Sequence, residues 1–178
     1  MLTRAQTNGG YTLLEMLLVL AIVGVLVAVA VPNFMAWNQK FKLKSDVANL
    51  AGTLAFARMT AINQNTPVIA TVAQLPPGPV TVTFLSPLGA TMIPPITMDG
   101  VVQLTDALGG TGASPQAVRF NNMGSWVNTG AANNICIPNA CPSISQVLNF
   151  RNAGQDNFRI VVLQTGKIIW CNIPSCTQ

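Results

Sequence analysis

The chain has 178 residues, of which 50% are apolar and only 8% charged, with a formal net charge of +4. An ordinary soluble domain carries roughly a quarter of its residues as charges, so this composition points to a membrane-associated or assembling protein and excludes charge-driven disorder. There is no histidine, which removes Ser-His-Asp and Cys-His catalysis and HExxH zinc sites together. The five acids, Glu15, Asp46, Asp99, Asp106 and Asp156, form no sequence-local pair, so neither an enzyme nor a cofactor or metal site is expected.

Residues 1–10, MLTRAQTNGG, make a short polar leader with one cationic side chain, Arg4, and end in Gly9-Gly10. The chain then turns apolar at once but carries an acid, Glu15. Met16 to Gln39 is free of charge, and Met16 to Val31 is apolar throughout apart from Gly24. Twenty-four helical residues reach about 36 Å, enough to cross a hydrocarbon core of about 30 Å. A cleaved secretory signal is the rival reading, but this run is too long, and the small residues around Ala28-Val29-Ala30 are followed by more apolar chain. A carboxylate costs about 2.5–3.5 kcal/mol at a bilayer centre and less near its edge. Glu15 is therefore either a functional group or a residue resting at headgroup level.

Pro32 removes one backbone bond and should kink or open the helix, and Gly24 weakens it upstream. Local melting between the two is expected when the helix leaves the membrane. Beyond Pro32 an amphipathic half, residues 33–66, carries a stripe of Phe34, Trp37, Phe41, Val47, Leu50, Leu54, Ala57 and Ala61. The stripe slips phase between Phe41 and Val47, and Leu43 partly bridges the slip. Lys40, Lys42 and Lys44 read as solubilising charges rather than as a basic patch. Asn63-Gln64-Asn65-Thr66-Pro67 is a stop signal, so one helix is predicted from Tyr11 to about Asn65.

From residue 67 to 178 short apolar runs alternate with Pro, Gly and Asn. Strands are expected at Val68–Val72, Val80–Phe84, Val101–Leu104, Ala117–Phe120, Val147–Phe150, Phe158–Leu163 and Lys167–Trp170, with a hairpin turn at Gln164-Thr165-Gly166. Pro76-Pro77-Gly78-Pro79 reads as a turn, and Gly109-Gly110-Thr111-Gly112 as a flexible loop, since no phosphate-loop Lys-Ser/Thr follows it. The predicted class is α+β: a long N-terminal helix packed on a C-terminal antiparallel sheet domain. Four cysteines, Cys136, Cys141, Cys171 and Cys176, form two C-x4-C units. Disulfides are favoured over zinc, whose structural pairs usually have shorter spacing and often include histidine. Pairing within each unit and pairing between the units both remain open.

The string Gly10-Tyr11-Thr12-Leu13-Leu14-Glu15, with Gly24 and Pro32 downstream, resembles the N-terminal signal of type IV pilins and type II secretion pseudopilins. The resemblance implies a pilin-like fold and cleavage by a prepilin peptidase between Gly10 and Tyr11, followed by N-methylation of Tyr11. It also implies that Glu15, the fifth mature residue, pairs with the N-terminal amine of a neighbouring subunit. A buried carboxylate needs a cationic partner, and the cut creates one nearby. Implied partners are other pilin or pseudopilin subunits in a helical filament, an inner-membrane assembly platform, and the membrane itself before assembly. The implied precursor crosses the inner membrane once with its C-terminal domain in the periplasm, then enters a periplasmic pseudopilus or an extracellular pilus. The three lysines beyond the membrane segment oppose that orientation by charge count alone; the peptidase motif outweighs them.

The body is similar to the GspH/FimT branch of that superfamily. The stretches carrying the similarity are Asp46 to Arg58, Ala61 to Val68, Val118-Arg119-Phe120-Asn121 with Gly124, and Phe158 to Val162 with Thr165-Gly166-Lys167. This implies a minor subunit, at a filament tip or in priming. A tip DNA-binding or adhesive subunit is the alternative, with Arg151, Arg159 and Lys167 as the candidate nucleic-acid contacts, although three charges leave a weak electrostatic footprint. A major filament subunit is a further alternative.

Overall fold

The structure is a computed structural model, and it describes residues 11–74, 78–100, 102–105, 116–127 and 145–173. The chain divides into two compact units between Trp37 and Asn38. One helix, α1, runs from Leu13 to Asn63. It is two residues shorter at each end than the sequence suggested. At its C-terminus Asn65 takes a left-handed φ of 49°. Asn65 N–H donates to the Ile62 carbonyl at 3.2 Å and Thr66 N–H to that of Ala61 at 3.1 Å. These bonds satisfy carbonyls the helix leaves open, and Pro67 prevents its resumption. Asparagine tolerates the left-handed conformation better than most residues, which is why Asn-rich sequence works as the stop.

In the first unit the helix is apolar and exposed all round, and it is long and apolar enough to cross a membrane by length and composition. It runs as one helix through Gly24 and Pro32.

In the second unit the helix buries Leu43, Val47, Leu50, Ala51, Leu54, Ala57, Thr60 and Ala61. The expected stripe is corrected at its start, because Phe34, Trp37 and Phe41 are exposed. At 100° per residue Phe41 points about 120° away from Val47, whereas Leu43 lies about 40° from it. The phase slip thus marked the true beginning of the core face.

Nine strands follow among the described residues: β1 (Val68–Gln74), β2 (Val80–Leu85), β3 (Thr91–Thr97), β4 (Gln103–Thr105), β5 (Gln116–Phe120), β6 (Trp126–Val127), β7 (Ser145–Arg151), β8 (Asn157–Leu163) and β9 (Ile168–Asn172). They form a five-stranded sheet, β3-β2-β1-β5-β6, and a four-stranded sheet, β4-β7-β8-β9. All pairs are antiparallel. Strict alternation in β1, β2 and β5 turns one face inward. Phe84, Phe120, Phe150, Leu104, Leu148 and Ile160 meet the helix leucines in a single core.

Two strands were not foreseen. β3 contains Pro94 and Pro95, which argue against a central strand; it is an edge strand, where a missing N–H costs no ladder bond. β6 has two residues, too few for any periodicity.

The two sheets are bridged at their seam. Gln74 Oε1 accepts from Leu104 N–H at 2.8 Å, joining β1 to β4. Trp126 N–H donates to the Gln164 carbonyl at 3.1 Å, joining β6 to the β8–β9 turn. That turn is the hairpin expected at residues 164–166, closed by Gly166 N–H to the Leu163 carbonyl at 2.8 Å with Gly166 at φ 79°.

Candidate functional site

The chemistry of the N-terminal segment starts at the first turn of α1. Tyr11 and Thr12 precede the helix, and Leu13 is its first residue. The Thr12 carbonyl accepts the first helical bond, from Met16 N–H at 3.3 Å. The Thr12 hydroxyl Oγ1 accepts from Glu15 N–H at 3.2 Å. Both bonds define an N-cap, in which a side-chain oxygen satisfies a backbone donor that the helix cannot. Glu15 is then the third helical residue, an acid in the first turn, where the positive end of the helix dipole favours it. The sequence signal that would have found Thr12 is the pattern Thr-x-x-Glu ahead of an apolar run.

Glu15 is thus the one charge in the apolar half of α1 before Lys40, exposed at its outset. Tyr11 is exposed beside it, and Gly10 lies outside the described residues. A Cβ placed on Gly24 would meet nothing within 4 Å, so the glycine leaves an open notch on the helix surface.

Two of the lysines beyond the apolar half form ion pairs. Lys40 Nζ lies 3.1 Å from Asp156 Oδ1, and Lys42 Nζ lies 3.0 Å from Asp99 Oδ2. Asp46 Oδ2 accepts from Asp99 N–H at 2.8 Å. These contacts tie the helix to the β3–β4 connection and to the β7–β8 turn, and three charges isolated in sequence cannot reveal such partners.

The structure does not gather the three candidate nucleic-acid contacts. Arg151 stands opposite Asn157 at the start of β8, while Lys167 lies past Leu163 at its other end. The six residue steps from 157 to 163 separate those ends by about 20 Å. Arg159 shares a face with Arg151, but its Nε donates to Asn149 Oδ1 at 2.9 Å. Lys167 instead sits with Arg58 and Trp170 on an open groove of about 480 Å³, floored by the small helix residues Ala48, Gly52 and Ala55. Of the cysteines, Cys171 on β9 faces Arg159 and is disulfide-bonded. Cys136, Cys141 and Cys176 lie outside the described residues.

Arg58, at the end of the Asp46–Arg58 stretch of the helix, reaches both sheets. Its Nε donates to the Gly124 carbonyl at 2.9 Å and its Nη2 to the Thr165 carbonyl at 3.0 Å. No sequence pattern announces a contact across 66 and 107 residues of chain.

None of the curated proteins matches the chain. A solved structure, the type IV minor pilin FimU of Pseudomonas aeruginosa, is similar at 16% identity and a TM-score of 0.48, covering 79% of this chain and 99% of that one. Residues 6–31 match the family described as the prokaryotic N-terminal methylation motif, so the chain carries a type IV pilin-like N-terminus.

Proposed function

We propose that the protein is a structural subunit of a type IV pilus or type II secretion pseudopilus, not an enzyme. A prepilin peptidase cuts it between Gly10 and Tyr11, Tyr11 is N-methylated, and α1 carries the subunit from the inner membrane into a helical filament. The observation supporting this most is the coincidence of the methylation motif over residues 6–31 with an exposed apolar helical half whose single charge is Glu15. Such a surface is stable only in lipid or among sister helices. In either setting Glu15 needs a cation, and the amine released at Tyr11 of a neighbour supplies it.

The body stands in the periplasm before assembly, with disulfides among Cys136, Cys141, Cys171 and Cys176. The assembly platform of the inner membrane and the sister subunits are its partners. By the likeness of its body to the GspH/FimT branch it is a minor subunit placed at or near the tip. The separation of Lys167 from Arg151 gives the DNA-binding alternative no support.

The test is expression of the full precursor in a host with the assembly machinery. Gly10→Val is expected to leave the precursor uncut, and Glu15→Ala to be cut but excluded from sheared filaments. Normal incorporation of either variant rejects the reading.

A further inference from the structure

We infer that Phe34 and Trp37 anchor α1 in the lipid headgroup layer, at the opposite face of the membrane from Glu15. This rests on the proposal that α1 spans the inner membrane before assembly.

Both rings are exposed, Phe34 at 64% and Trp37 at 62%. Three residues apart, they share one side of the helix, with ring centroids 6.2 Å apart and planes tilted by 41°. Asn33 and Asn38 flank them and are exposed as well. The run from Met16 to Val31 holds no such amide. Rings interleaved with amides suit a half-wet layer. Tryptophan joins a large apolar body to one polar N–H, and aromatic residues gather at membrane–water boundaries for that reason. A ring that packed only among sister helices would need no amides beside it.

Glu15 sets the other end. A carboxylate is costly at the bilayer centre and cheaper at its edge, so the helix settles with Glu15 at the boundary. From there Asn33, the first polar side chain after Glu15, lies about 27 Å along the helix, and Trp37 about 33 Å. A hydrocarbon core of about 30 Å therefore ends between them, in the turn that carries Phe34. Pinned at both ends, Glu15 stays hydrated while the subunit waits in the membrane. Its charge is buried only on entry to the filament, when the amine of a neighbour is there to meet it.

The experiment places the full-length precursor in phosphatidylcholine vesicles whose acyl chains carry bromine, a contact quencher of tryptophan fluorescence. The bromine stands either at the headgroup end or at the methyl end of the chain. Trp126 and Trp170 are common to the native chain and to Trp37→Phe, so the difference between those two is the signal of Trp37, and phenylalanine keeps an aromatic ring in place. Leu14→Trp and Leu26→Trp, each made in Trp37→Phe, report the near boundary and the midpoint of the span. Trp37 and position 14 are expected to be quenched at least about twofold more from the headgroup end, and position 26 at least about twofold more from the methyl end, since boundary and midplane lie about 15 Å apart. With position 26 deep, a Trp37 that lacks the headgroup-end preference overturns the inference. So does a Trp37 quenched from neither end, which would stand in water or under protein. A deep position 14 overturns it too, because Glu15 would then not rest at the boundary. A shallow position 26 is a separate outcome: the helix would lie along the membrane surface, which rejects the spanning precursor of the proposed function.

Discussion

Arg58 Nε donates to the carbonyl oxygen of Gly124 at 2.9 Å. The same guanidinium, through Nη2, holds the Thr165 carbonyl at 3.0 Å. One helix side chain thus clasps the β5–β6 turn of one sheet and the β8–β9 turn of the other. Hydrogen bonds to a charged group contribute about 1.5–3 kcal/mol each, and partial exposure puts these at the low end. Arg58→Met is expected to cost about 2–4 kcal/mol in urea unfolding of the full chain in detergent, followed by tryptophan fluorescence. Arg58→Lys is expected to recover less than half, because a single ammonium lacks the fork that spans two carbonyls. A loss below about 0.5 kcal/mol for Arg58→Met, the ordinary scatter of surface substitutions, would show that the clasp is idle.

The clasp sets the tolerance of its two glycines. A Cβ on Gly166 would fall 2.0 Å from the Gly124 carbonyl oxygen, and the residue sits at φ 79°. A Cβ on Gly124 would fall 2.6 Å from Ile62 Cδ1, the far end of a side chain that can rotate away. Gly166→Ala therefore has to displace backbone, and about 2–5 kcal/mol is expected from left-handed strain plus overpacking. Gly124→Ala should cost about 1–3 kcal/mol by the same reasoning. The reverse ranking in the same unfolding assay would contradict the geometry.

The helix and most of the strands were legible in the sequence because each satisfies a local rule. The 3.6-residue spacing of Val47, Leu50, Leu54, Ala57 and Ala61, and the alternation in β1, β2 and β5, report burial directly. Phe34, Trp37 and Phe41 misled because large apolar side chains look like core wherever they fall, and here they are exposed. Non-local partners were not legible. The ion pairs of Lys40 and Lys42 and both bonds of Arg58 depend on the return of distant chain. So does the separation of Lys167 from Arg151, which follows from which ends of β8 they flank. At the N-terminus the methylation signal was plain, while the cap at Thr12 lay hidden inside it, since the same residues write both.

Leu54 and Phe56 test which face of the helix is core. Leu54 is fully buried, whereas Phe56 is 60% exposed although larger. Leu54→Ala is expected to cost about 2.7–5 kcal/mol through lost burial and the cavity left behind. Phe56→Ala is expected to change stability by less than about 0.5 kcal/mol. A comparable loss at both positions in thermal unfolding would mean that the outward face is covered in the isolated protein.

The contacts around Asp99 separate hydrogen bonding from surface charge. Lys42 reaches its carboxylate with both side chains substantially exposed, so Lys42→Ala should cost at most about 1 kcal/mol, fading as salt is raised. Asp46 accepts the Asp99 backbone N–H at 2.8 Å in a half-buried setting. Asp46→Ala strands that donor and should cost about 1–3 kcal/mol. The second effect is expected to persist in 1 M salt, where the Debye length is about 3 Å, and its disappearance there would assign it to simple charge attraction.

Gly24 and Pro32 lie within a helix that is continuous in the single chain, yet both weaken it. Nothing lies within 4 Å of a Cβ added at Gly24, so Gly24→Ala adds no clash and removes only backbone freedom. It should stabilise the helix by about 0.5–1 kcal/mol, and Pro32→Ala by about 3 kcal/mol. If the helix must open between these residues on leaving the membrane, the gain becomes a barrier. Both variants should then show slower amide exchange across residues 24–32 in micelles, normal cleavage after Gly10, and fewer filaments, with Pro32→Ala the more affected. Slower exchange with an undiminished filament yield would show that the two residues are tolerated by assembly rather than used by it.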